Sequence, residues 1–183
     1  MRTYGLSVLL THEPGGTLLG NELRQLLLAR DELEATARAE ALMMNASRAQ
    51  LVENVIRPAL ERGQTVVCDR FADSTLAYQG AGRGLDMHEL TSVISFATAG
   101  LQPDMTLLLD LPVEVGLARK NAQGGSNRFE AEALVFHARV REAYRGLAAA
   151  DPDRWQCVSG LDSPDQIAHE IWSAVAARMG LHE

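Results

Sequence analysis

TVVCDRFADSTLAYQGAGRG, residues 65–84, opens on a short apolar run and turns polar at Asp69 and Arg70. A run this short, rich in β-branched residues and bounded by charges, reads as a strand buried on both faces. The same pattern recurs on either side. GLSVLLT (5–11), DMTLLLDL (104–111) and RWQCVS (154–159) are further strand-like runs. Helical periodicity fills the spaces between them, at 16–30, 35–63, 86–100, 112–120, 129–150 and 163–180. Pro58 interrupts the longest helix because it has no N–H to donate. Pro112 suits a first helical turn, and Ser163 suits an N-cap. Strands separated by helices predict a parallel sheet with helices on both faces. Ligands of such sheets bind beyond the carboxyl ends of the strands, where Glu13, the Asp69–Arg70 pair and Asp110 fall.

The bulk properties set bounds. The chain has 183 residues, 46% hydrophobic, which suits a single domain spanning 1–183. Aromatic residues are only 5%, so aliphatic side chains and alanines must fill the core. No apolar run reaches the ~18 residues that span a bilayer, and no secretory signal is visible; the expectation is a cytoplasmic protein without membrane partners. A net charge of -7 disfavours nucleic acid as a partner. Cys68 and Cys157 lie in strand-like runs and are expected to be reduced, buried thiols. Of the 17 lysines and arginines, a single one, Lys120, is lysine. Phosphate recognition therefore falls mostly to arginines, whose planar fork donates in pairs.

Residues 69–80 match, at every fixed position, the pattern D-R-[YFH]-x-x-S-x-x-A-Y-Q-G of the bacterial thymidylate kinases. EPGGT (13–17), SRAQ (47–50) and NRFE (127–130) fall at the family's places, so the resemblance runs the length of the chain. It implies the fold of the P-loop nucleoside monophosphate kinases and transfer of the γ-phosphoryl group of Mg-ATP to dTMP, giving dTDP for dTTP synthesis. It also implies a homodimer through the helix at 36–61. Physical reasoning places Arg70, just past a strand end, as a phosphate grip, with a surface ion pair to Asp69 or Glu13 as the plainer reading. In the family the matching arginine holds the dTMP phosphate. Asp69 either orients a magnesium-bound water or positions Arg70. The resemblance assigns Arg48 to the thymine edge, Tyr78 to the deoxyribose, and Glu13 and Pro14 to the acceptor phosphate and sugar. Gln79 offers thymine both a donor and an acceptor, and Ser74 and Thr75 flank the same site. Met44 takes the place of the family's stacking phenylalanine. The polar, glycine-containing stretch at about 119–128 resembles the family's lid, with Arg119, Lys120 and Arg128 as candidates to close over the ATP phosphates and Arg119 and Arg128 among the catalytic groups.

Some family features differ or do not occur. His12 replaces an arginine, Asn45 sets an amide beside the base, Asn121 and Gln123 stand at lid arginine positions, and Asn127 replaces an aspartate. No G-x-x-x-x-G-K-[ST] string occurs in the 183 residues. In the family that loop follows the first strand and cradles the ATP phosphates. The expectation is that the first strand, this loop and most of the first helix are missing, and that Met1 is an internal methionine of a longer chain. The absent strand would lie between 65–69 and 104–110. Each buried backbone group left unpaired there costs about 1–3 kcal/mol, against a domain stability of about 5–15 kcal/mol.

Three readings follow: a dTMP kinase, whose 183 residues alone are expected to show negligible turnover; a catalytically inactive paralogue that binds a deoxynucleoside monophosphate; and a helix-mediated scaffold. Loss of function on replacing Arg70 separates the first two from the third.

Overall fold

The computed structural model describes residues 5–28, 35–123 and 134–181. Its elements, in chain order, begin with β1 (Val8–His12), α1 (Leu18–Leu28), α2 (Ala37–Leu51), a π-helical turn (Val52–Ile56) and α3 (Arg57–Glu61). Next come β2 (Thr65–Asp69), α4 (Ala72–Thr75), a second π-helical turn (Leu76–Gly82), α5 (Met87–Thr98) and β3 (Thr106–Asp110). The series closes with α6 (Val113–Gln123), α7 (Leu134–Ala150), β4 (Trp155–Ser159) and α8 (Pro164–Met179).

The strand and helix expectations hold, with three informative differences. First, the long helix continues through Pro58 instead of stopping. The π-helical turn just before it lets Arg57 N–H reach back to Val52 O, absorbing the misfit of the proline ring. Second, residues 72–82, which carry no helical signature in sequence, are helical. Third, the strands form two parallel pairs, β1 with β2 and β3 with β4, with no ladder joining the pairs among the described residues.

Each pair packs against helices. Val66 and Cys68 of β2 lie on a cluster of Leu51, Val52 and Ile56. Leu10 and Val67, paired across β1 and β2, point to the other face and are exposed. On the other side of the molecule α7 lays Phe136 and Val140 against Ala77. Arg154 ties the two halves together. It donates to both carboxylate oxygens of Asp73, which follows β2, and to Thr106 at the start of β3.

Local chemistry sets the helix ends. Thr17 Oγ1 accepts from Gly20 N–H and caps α1. Asp86 caps α5, and Ser163 with Gln166 forms a capping box on α8. Cys68 is half-buried, but Cys157 is exposed, as is Ser159 two residues on along β4. That corrects the expectation of two buried thiols.

Candidate active site

The chain leaves β1 at His12 and turns through Glu13–Gly16 into α1. Three contacts pin that turn. Glu13 N–H donates to Asp69 O at the end of β2. Gly15 N–H donates to the buried Ser47 Oγ on α2. Arg24 of α1 donates to Pro14 O. Gly16 has φ +74, and a Cβ there would sit 2.6 Å from both Leu51 Cδ1 and Thr11 Oγ1. The second glycine of EPGGT is therefore required by conformation and by space.

Arg48 is the hub of the site. It is 2% exposed, and each of its nitrogens has a protein acceptor. Nε donates to Glu13 Oε2 at 2.9 Å; Nη1 donates to Asn45 Oδ1 and Thr75 Oγ1; Nη2 donates to Phe71 O. Nη2 also lies 2.7 Å from Glu13 Oε2. Burial pushes the Glu13 carboxyl above its ordinary value, and the Arg48 charge and hydrogen bond pull it part of the way back. Glu13 Oε1 is buried and has no donor among the described residues. A second buried acid, Glu40, accepts from Gln79 Nε2 at 2.8 Å and so orients that amide.

Arg70 is held differently. Its backbone has φ +66, rare for a residue with a Cβ. The side chain lies over the Tyr78 ring, 4.7 Å from its centroid, and donates to the Tyr78 hydroxyl. Tyr144 of α7 backs this wall and donates to Ser74 Oγ at 2.8 Å. Burial raises the Tyr144 phenol to about 12, so it stays a neutral donor.

Between hub and wall lies a cavity of about 250 Å³. All nine residues expected to bind the acceptor line it: Glu13, Pro14, Met44, Arg48, Arg70, Ser74, Thr75, Tyr78 and Gln79. Asp69 and Lys120 line it as well. Arg119 does not; it donates to Gly160 O beyond β4. Arg128 and Asn127 lie outside the described residues, as do the side chains of Asn121 and Gln123. Asp110 is also elsewhere, gripped by both ends of the Arg141 guanidinium.

Sequence reasoning missed Arg24, Leu28 and His137, which line the cavity, and Tyr144 behind it. One signal was present: His137 and Tyr144 stand seven residues apart and so share a face of α7.

The arrangement combines a strand-end guanidinium, an oriented amide and a buried carboxylate, which suits a small anionic ligand with a polar ring. Among the described residues no cluster of three metal-ligating side chains occurs. A magnesium ion commonly takes only one or two carboxylates and fills its shell with water and substrate phosphate. Asp69 is the carboxylate on the cavity wall that fits this pattern.

Comparison with known proteins agrees with this geometry. The family profile for thymidylate kinase matches residues 1–171. The chain is 51% identical to a thymidylate kinase of Synechococcus sp. over 181 residues, covering 99% of this chain and 85% of that protein. It is 49% identical to one from Thermomicrobium roseum, covering 98% and 85%. The crystal structure of thymidylate kinase from Ehrlichia chaffeensis superposes with a TM-score of 0.73 at 27% identity, covering 92% of this chain and 80% of that one. With profile, relatives and fold in agreement, the chain belongs to the thymidylate kinase family of ATP-dependent nucleotide kinases.

Proposed function

We propose that the protein binds dTMP in the 250 Å³ cavity and transfers to it the γ-phosphoryl group of Mg-ATP, releasing dTDP and ADP. The observation that carries this reading is that one cavity is lined both by a strand-end guanidinium, Arg70, and by an amide, Gln79, that Glu40 orients. Arg70 meets the dTMP phosphate through paired charge-assisted hydrogen bonds. Gln79, with one N–H held by Glu40, presents its carbonyl and second N–H to the thymine edge. Met44 covers the ring face through its polarizable thioether. Tyr78 stands beside the deoxyribose, and Glu13 Oε1, which has no donor among the described residues, is an acceptor for a sugar hydroxyl. Arg48 lines the base end but acts chiefly as a brace, since protein acceptors occupy all its nitrogens.

Phosphoryl transfer is mostly positioning plus charge stabilisation. An oxygen of the dTMP phosphate attacks the γ-phosphorus in line, and the bond to the ADP oxygen breaks. Arg70 and Lys120 hold positive charge where the equatorial oxygens gather it. Asp69 would hold a magnesium ion through one of its waters, and the ion would supply charge neutralisation at the donor phosphates. Arg119 and Arg128 are lid candidates for the donor. A homodimer through 36–61 and a cytoplasmic setting belong to the same proposal. Among the described residues no helix is long and apolar enough to cross a membrane.

Calorimetric titration tests the acceptor half. The expected result is saturable 1:1 binding of dTMP with far weaker binding of dAMP. Equal affinity for purine and pyrimidine monophosphates would contradict the reading.

A further inference from the structure

Native proteins leave few buried polar side-chain atoms without a partner, and each such atom calls for an explanation. Three occur among the described residues: Glu13 Oε1, His137 Nε2 and Trp155 Nε1. Two of the three, Glu13 and His137, line the same cavity. His137 sits in the first turn of α7, where its ring meets Phe136 edge to face at 5.4 Å. That contact fixes the imidazole plane, and Phe136 in turn packs against Tyr78. The ring is thus preorganised, and its buried nitrogen has no protein partner among the described residues.

We infer that His137 is a further acceptor-site residue, whose Nε2 makes one hydrogen bond to the bound pyrimidine nucleoside monophosphate. The inference rests on the acceptor-site reading above. A neutral imidazole can present either a donor or an acceptor at Nε2, so the nucleotide satisfies an atom that has no partner among the described residues. Phe136 supplies the packing, which makes the hydrogen bond separable from the fold.

Two variants and one spectroscopic readout test this, with dTMP as the probe. His137→Phe keeps an aromatic ring on Phe136 and removes the nitrogen; its dTMP affinity is expected to fall roughly three- to tenfold, the size of one hydrogen bond. His137→Gln places an amide near the Nε2 position and is expected to restore most of that loss. In the unaltered protein, the 15N resonance of His137 Nε2 is expected to shift when dTMP saturates the site. Circular dichroism melts confirm that both variants fold. Unchanged dTMP affinity in His137→Phe, or an Nε2 resonance indifferent to dTMP, would overturn the inference. If Arg70→Ala loses dTMP binding while His137→Phe retains it, the acceptor-site reading stands and the His137 assignment alone fails. If the unaltered protein does not bind dTMP, both fall.

Discussion

Arg48 and Arg70 line one cavity with the same side chain and do opposite work. Arg48 is buried, and its nitrogens reach Glu13, Asn45, Thr75 and Phe71, drawn from β1's turn, α2 and the segment after β2. Arg70 rests on one tyrosine ring and one hydroxyl, on a left-handed backbone at a strand end. The first is a frame, because every donor is already satisfied. The second is a grip, because most of its donors have no acceptor among the described residues. Strand-end arginines can be recognised in sequence as ligand candidates; whether a helical arginine is frame or grip depends on which carboxylates the fold buries beside it.

The sharpest way to break this comparison is Arg48→Met. Removing the guanidinium strands the Glu13 carboxylate, 5% exposed, without its counter-charge. Breaking a buried pair this way costs about 3–5 kcal/mol. The expected outcome in urea unfolding is a large fall in midpoint, with dTMP binding lost as a consequence. Arg48→Met with unchanged stability would remove the frame from the account.

Arg70→Ala should act the other way. It is expected to weaken dTMP by roughly 10- to 100-fold, the range of charge-assisted hydrogen bonds at about 1.5–3 kcal/mol, with a much smaller effect on unfolding. The same contrast extends to the thiols. Burial, with the Glu13 charge behind it, raises the Cys68 thiol to about 12, whereas Cys157 is exposed. At pH 8 only a trace of Cys68 is thiolate. One thiol per chain is expected to react promptly with an aromatic disulfide reagent, and the second only after unfolding.

The smallest effect sharpens the comparison from outside it. Ser163→Ala deletes the capping box of α8, a helix that lends no residue to the cavity lining, and should cost about 1 kcal/mol. Its dTMP affinity is expected to be unchanged, which calibrates how much stability loss alone leaves binding intact.

Much of this molecule was legible in its sequence. The strands at 65–69 and 106–110 announced themselves through short apolar runs, and the capped helices through Asp86 and Ser163. The nine residues expected to bind the acceptor came from the family resemblance, carried by residues 13–17, 47–50 and 69–80 with Met44 placed four residues before Arg48, and the fold brings all nine to one cavity. What was not legible has physical reasons. Residues 72–82 mix small and polar side chains without a helical apolar period; in the fold Ala77 packs against Phe136 and Val140 of α7. The π-helical turn before Pro58 depends on backbone geometry that composition does not encode. Arg24 and His137 join the site by helix placement, from segments on either side of the motif in sequence. The donors of Arg48 are spent on Glu13, Asn45, Thr75 and Phe71, which no spacing rule brings together.

The division between frame and grip is tested most directly by thermal unfolding of the unaltered protein and Arg70→Ala, each with and without saturating dTMP. A ligand at 100 times its Kd stabilises the folded state by about 2.7 kcal/mol. The expected result is that rise in melting temperature for the unaltered protein, and for Arg70→Ala, at the same dTMP concentration, a nearly unchanged melting temperature without ligand and a clearly smaller rise with it, about 0.4–1.4 kcal/mol for a 100- to 10-fold weaker Kd. A variant that melts far lower on its own yet keeps the full dTMP-induced rise would contradict the account, because Arg70 would then be frame and not grip.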